Sequence, residues 1–262
     1  MPEFRIATFN ANSIRARLPV ILDRLAVLKP SALCIQETKV QDRDFPAETF
    51  LEAGCHCVFT GQKSYNGVAV VAYEKPELIS AGLGDGEENP EQARFIHVLL
   101  NGIHIINTYV PQGFEPGSDK FNYKLRWFER LKRYFIKNFS PESPIIWTGD
   151  INVAPEPEDV YDPVRLAGSC GFHPDERAML RDIMSWGFTD IFRKHVPGPG
   201  QFTFFDYRMP GSAAKGLGWR IDHIFATAPL AKKSTGSFID MESRMKDKPS
   251  DHALLAASFA VD

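Results

Sequence analysis

The sequence predicts an α/β protein: two mixed β-sheets packed face to face, with helices on the outside. Three observations lead there. Strand-like runs outnumber helix-like ones and often follow one another directly, which favours partly antiparallel sheets. Runs such as "GVAVVAY" and "PIIWTGD" are apolar on both alternating faces, so each sheet is covered twice. The few helical runs carry apolar stripes, as helices lying on a sheet do.

The elements read in order. "FRIATFN" (4–10) is a strand and "RLPVILDRLAVL" (17–28) has helical spacing. "ALCIQE" (32–37), "CVFTG" and "GVAVVAY" are strands. Residues 94–110 read as a hairpin turning at Asn101-Gly102, a type I′ turn signal. Residues 118–139 form the strongest helix, with Phe121, Leu125, Phe128, Leu131 and Phe135 on one face and Ser118 or Asp119 as N-cap. "PIIWTGD", a helix near 175–186, and the strands "QFTFF", "WRIDHIFAT" and "ALLAASFAV" complete the chain.

The 262 residues show no linker, low-complexity tract or short repeat, so 1–262 reads as one domain. At 44% hydrophobic and 24% charged, the composition is that of a soluble globular chain. A net charge of −3 does not announce nucleic acid, nor does it exclude it, because one basic face suffices. Cys34, Cys55, Cys57 and Cys170 lack zinc-site spacing and read as reduced thiols. "MPEFRIATFN" lacks the apolar run of a signal peptide, and no stretch approaches transmembrane length. These features lead us to expect a cytoplasmic monomer with no membrane partner.

Polar residues collect where strands end: Asn10, Gln36-Glu37, Asn107-Thr108-Tyr109, Asp150-x-Asn152, Asp222-His223 and Asp251-His252. Loops at a sheet rim are where such proteins build sites. Glu37, Asp150, Asp222, Asp251, Asn10 and Asn152 are hard oxygen donors. Without a Cys or paired-His cluster they favour Mg²⁺ or Mn²⁺ over zinc. A His beside an Asp donates well to a phosphoryl oxygen. Together they form a kit for metal-assisted phosphodiester hydrolysis. Singly, each has an ordinary explanation as a turn, cap or core hydroxyl; the explanation from chance must place all of them at strand exits.

"FNANSIRAR", "CIQETK", "YVPQG", "GDINVAP", "DVYDP", "WRIDHI" and "SDH" resemble, in order and spacing, the motifs of the exonuclease III family of apurinic/apyrimidinic endonucleases. The resemblance covers effectively the whole chain. It implies the four-layer α/β sandwich of the DNase I-like endonuclease/exonuclease/phosphatase superfamily. By that resemblance Glu37 is the principal Mg²⁺ ligand (Mn²⁺ substituting), with Asn10, Asn12 and Asp251 near the metal. Asp150 orients or deprotonates the attacking water, or protonates the leaving oxygen. Asn152 and Tyr109 hold the scissile phosphate. His252 contacts a non-bridging oxygen, and Asp222 orients and charges its imidazole. Two positions depart from the family: Ser13 stands where Gly is usual, and His223 where an apolar or aromatic residue is usual. We read His223 as a sheet-face histidine rather than a support of the site.

The resemblance also makes Phe204, Trp219 and Ile221 the wall of a pocket for a flipped, base-free sugar. The ordinary alternative is core aromatics on a strand. DNA contact falls to Arg15, Arg17, Lys63, Gln112, Lys124 and Arg220 within a wider scatter of Arg and Lys. The alternative for 124–137 is a solvated helix face. The expected activity is Mg²⁺-dependent incision 5′ to abasic sites in double-stranded DNA, with 3′→5′ exonuclease action and trimming of 3′-blocked ends. Its rivals are a phosphoesterase of the superfamily acting on a non-DNA substrate, and a nucleic-acid-binding protein without turnover. The aromatic set and the spread cations disfavour the first, and the intact acid–amide–imidazole set disfavours the second.

Overall fold

The structure, a computed structural model, describes residues 3–88 and 91–261. One six-stranded sheet holds β1 (Glu3–Asn10), β2 (Ala32–Gln36), β3 (His56–Thr60), β4 (Val68–Ala72), β11 (Ser234–Asp240) and β12 (Leu254–Ala260), in the order β11-β12-β1-β2-β4-β3. The other holds β5 (Glu77–Ala81), β6 (Phe95–Leu100), β7 (Ile103–Tyr109), β8 (Ile145–Asp150), β9 (Phe188–Asp190) and β10 (Asp222–Thr227), in the order β5-β6-β7-β8-β10-β9. Helices α1 (Ile14–Leu28) and α2 (Ala47–Glu52) cover the first sheet, and α3 (Asp119–Asn138) and α4 (Pro174–Met184) cover the second. The short α5 (Ile191–His195) and α6 (Ala228–Ala231) close one end of the space between the sheets. The four-layer expectation is met.

Period-two alternation explains the layers. Along β4, Val68, Val70 and Ala72 enter the core between the sheets, while Ala69 and Val71 face the α1 side. Along β8, Ile146 points between the sheets, and Ile145 and Trp147 pack under α3 and α4. Among the described residues only β1–β2 and β7–β8 run parallel. A parallel pair delivers both strand ends to one edge, so Asn10 lies beside Gln36 and Tyr109 beside Asp150. Between the sheets, Gln36 Nε2 donates to Asn107 Oδ1 at 2.7 Å, and Asn107 Nδ2 donates to the carbonyls of Ile35 and Ala69 at 3.0 and 2.9 Å. These two rim amides bolt the sheets together.

The Asn101-Gly102 turn has φ of 51° and 75°, as a type I′ hairpin requires. Ser118 caps α3, its hydroxyl accepting the Phe121 N–H at 3.2 Å. Two readings are corrected. Leu125 is half-buried and Trp127 takes an inward place instead. "QFTFF" forms only isolated bridges, from Phe204 to Trp219 and to His252. Strands β5, β9 and β11 were not anticipated; they are short or lie at a sheet edge, and β5 and β11 carry register shifts that blur alternation.

Two buried histidines make the fold acid-sensitive. His97 shares its ring nitrogens with the Tyr134 hydroxyl and with His104, and burial, then His104, pushes it down to about 4. His223 is pushed down to about 4 by burial and then by the Arg220 charge. Below about 6.5 the unfolded chain takes up these protons while the native state takes them up only near 4, so stability falls as pH drops through that window. Each histidine contributes roughly 1.4 kcal/mol of loss per pH unit there. The urea midpoint is expected to fall from pH 7 to pH 5, and His97→Gln to flatten that slope.

Candidate active site

The site forms where the two parallel pairs end. In register across the second sheet, Asp150 has Tyr109 on one side and Asp222 on the other. From the first sheet come Asn10 at the end of β1 and Glu37 just past β2. The segment before β12 supplies Asp251 and His252, anchored by Ser250 Oγ donating to the Asn10 carbonyl at 2.7 Å. Gly149 is required here, because a Cβ would stand 2.0 Å from the Thr108 carbonyl oxygen.

Asn10 is the clamp. Its Nδ2 donates to Glu37 Oε1 at 2.7 Å and to Asp150 Oδ2 at 2.8 Å. Asp150 Oδ1 accepts the Asn152 backbone N–H at 3.0 Å. His252 Nδ1 meets Asp222 Oδ2 at 2.8 Å, leaving Nε2 3.9 Å from Asp150 Oδ2. Asn152 Nδ2 donates to the Val110 carbonyl at 3.0 Å. Lys39 lies 2.8 Å from Glu37 Oε2 and also reaches the Asn12 side chain. Asp251 accepts from Asn12 Nδ2 at 3.0 Å and lines the same cavity.

The environments drive acid and base apart. Burial raises the Asp150 carboxyl, the neighbouring Asp222 and Glu37 add to this, and His252 only partly opposes it; the result is about 7. Burial alone would lower His252, but Asp222 and then Asp150 override it and push it up to about 10. The imidazole is therefore an imidazolium with Nε2–H aimed at the acid cluster. Burial, reinforced by Glu37 and Asp150, holds the Tyr109 phenol well above its ordinary value, so it stays a donor.

Backbone strain concentrates here. Of the eleven non-glycine residues at positive φ among the described residues, five are Asn12, Ser13, Glu37, Lys39 and Asn152. Strained conformations gather at sites because the surroundings over-determine them. Ser13, at φ 100°, occupies backbone that favours glycine, which accounts for the usual residue at that position. Ser13→Gly is expected to raise stability by about 1 kcal/mol, read from urea unfolding, whereas Ser13→Ala gives no gain.

The cavity of about 230 Å³ is lined by Glu37, Tyr109, Asp150, Asn152, Asp251 and His252, with Phe204, Trp219 and Ile221 on one wall. Those three join a small apolar cluster with Val160 and Phe172. Gln112, Cys170, Asp206 and Arg208 also line it; Gln112 and Arg208 belong to the polar and basic residues expected to contact DNA, whereas Cys170 and Asp206 were not anticipated there.

The DNA-contact residues divide. Arg15 and Lys63 are exposed, Arg17 reaches Tyr207 Oη at 2.9 Å, and Gln112 is exposed at the cavity edge. Lys124 and Arg220 are corrected: both side chains are 0% exposed. Lys124 pairs with Glu176 and donates to the Asn152 carbonyl at 2.7 Å, so it ties down the loop that carries Asn152. Its place was legible in retrospect, three residues after Phe121 and four before Phe128 on the inward stripe. Arg220 pairs with Asp159 at 2.7 Å and Asp190 at 2.8 Å. It also meets His223 Nδ1 at 3.0 Å, while His223 Nε2 donates to the Val153 carbonyl at 2.9 Å. His223 is therefore a support of the loop after Asp150, contrary to the sheet-face reading.

The residues fit a divalent cation. Ligand atoms of Glu37, Asp150 and His252 lie within 4.8 Å of one another. Between the Glu37 and Asp150 carboxylates stands the Asn10 amide, and both acids present oxygens at the cavity that a divalent cation can take. His252 is held through Nδ1 by Asp222, and carboxylate oxygens are the donors that Mg²⁺ prefers.

Two mixed sheets with an acid–amide–imidazole cluster at their shared rim define the class: a four-layer α/β hydrolase. The chain belongs to the endonuclease/exonuclease/phosphatase family, whose sequence model matches residues 7–252. It is 33% identical over 267 residues to exodeoxyribonuclease III of Haemophilus influenzae, covering 97% of this chain and 99% of that protein. Its fold is similar to an AP endonuclease from Archaeoglobus fulgidus, with 46% identity, TM-score 0.94, and coverage of 98% of this chain and 100% of that one. A 3′ phosphatase, NExo, from Neisseria, bound to a product DNA hairpin, has 34% identity, TM-score 0.94 and the same coverage. Among the described residues no helix is long and apolar enough to cross a membrane.

Proposed function

We propose that this protein is a DNA repair nuclease that hydrolyses the phosphodiester 5′ to an abasic site in duplex DNA and also trims 3′ ends. The carrying observation is the pairing of a raised Asp150 carboxyl with a charged His252 beside an aromatic-walled cavity. Water attacks phosphorus in line, the P–O3′ bond breaks, the leaving O3′ takes a proton from solvent, and the products are a 3′-hydroxyl and a 5′-deoxyribose phosphate. Asp150 takes the proton of the water, held by Asn10 and the Asn152 N–H. His252 donates from Nε2 to a non-bridging oxygen as charge builds there, and Asp222 fixes its tautomer and charge. Tyr109 and Asn152 orient the phosphate. Glu37, with Asn10 and Asp251 beside it, would hold Mg²⁺ or Mn²⁺, which supplies charge neutralisation at the phosphoryl oxygens.

Phe204, Trp219 and Ile221 give the wall that favours a sugar without its base. The rival phosphoesterase reading gives no reason for such a wall. The test is selectivity. Wild type should cut an abasic duplex at least about 100-fold faster than an intact one, and Trp219→Ala should narrow that ratio by roughly ten-fold. Equal rates on both duplexes in the wild type would remove the abasic assignment.

A further inference from the structure

A second cavity, of about 280 Å³, adjoins the first and shares Gln112 with it. Its walls are Gln92, Arg94, Gln112, Phe114, Lys120 and Tyr123. Two features set it apart. Among the described residues no carboxylate pairs with either of its cations. Arg94 lies 4.8 Å over the Tyr109 ring and donates to the Gln92 side chain at 2.7 Å and to the Tyr109 carbonyl at 3.3 Å. Among the described residues Lys120 meets the Phe114 ring alone, 5.3 Å from Nζ. Nearby on α3, Arg130 and Arg133 are both neutralised by carboxylates of the 85–91 segment. The second feature is Phe114, 65% exposed and held at φ 65° with its N–H on the Gln112 side chain. A large aromatic kept in water on left-handed backbone gains nothing from packing.

We propose that this cavity is a nucleotide subsite: Arg94 and Lys120 hold the phosphate adjoining the scissile one, and its base stacks on Phe114. The inference rests on the reading of the protein as a DNA nuclease. Tyr109 connects the two cavities, since its ring lines the first and carries Arg94 on its face. A cation pair takes the backbone without regard to sequence, and an aromatic face accepts any base. The subsite therefore positions the strand without selecting a sequence.

The test is binding, separate from turnover. The affinity of a fluorescent abasic duplex is measured by anisotropy in EDTA, across a salt series. Phe114→Ala is expected to weaken binding about ten-fold, and Phe114→Tyr to stay near wild type. Lys120→Gln is expected to lower the slope of log K against log salt by about one. Both side chains are exposed, so unfolding midpoints should match wild type. Wild-type affinity for Phe114→Ala, an unchanged slope for Lys120→Gln, or no binding by wild type overturns the subsite. Binding with the expected losses but no incision in Mg²⁺ overturns only the nuclease reading.

Discussion

Asp150→Asn is expected to lower incision of an abasic duplex by about 10²- to 10⁴-fold, the range for losing a positioned general base. The amide keeps an oxygen for the Asn152 N–H but takes no proton. It also presents an NH₂ to Asn10 Nδ2, where a carboxylate oxygen now accepts at 2.8 Å. Burial and the nearby carboxylates already disfavour charge at this position, so losing it leaves the metal-free fold intact. A circular-dichroism melt alongside the rate assay separates the two effects. A loss under ten-fold, with the fold intact, would remove Asp150 from the proton transfer.

Arg220→Ala carries the largest expected stability effect. The guanidinium is fully buried and meets Asp159, Asp190 and His223 at once. Removing it leaves Asp190 without its guanidinium partner and Asp159 with Arg193 alone, and unpairs the His223 Nδ1 in the interior, a loss of about 3 kcal/mol. For a chain of this size that is a fall in Tm of roughly 10 °C. Arg220→Lys should recover little, because one ammonium cannot reproduce a planar fork with three partners. Equilibrium urea unfolding measures both. Activity should fall as well, since the Arg220–His223–Val153 chain supports the loop that carries Asn152.

The layered fold was legible because alternation in runs such as β4 and β8 is unbroken, and both faces are apolar. The site was legible because its acids, amides and imidazole each sit at a strand exit, and the parallel pairs bring those exits to one edge. Two things were not legible. Edge strands such as β11 mix Ser, Thr and Gly with few apolar residues and carry a bulge, which erases the period. Lys124 and Arg220 looked like surface cations because charge alone does not reveal burial; only their carboxylate partners, 52 and 61 residues apart in the chain, make burial tolerable. His223 was misread for a similar reason, since Arg220 and Val153 are what give its two nitrogens their roles.

The most direct measurement is the site of cleavage in a labelled duplex carrying one abasic analogue, with Mg²⁺ and with EDTA. The account predicts a single nick immediately 5′ to the lesion, a 3′-hydroxyl end, and no product in EDTA. A nick on the 3′ side, cleavage that persists in EDTA, or no cleavage by folded, Mg²⁺-supplied protein would contradict it.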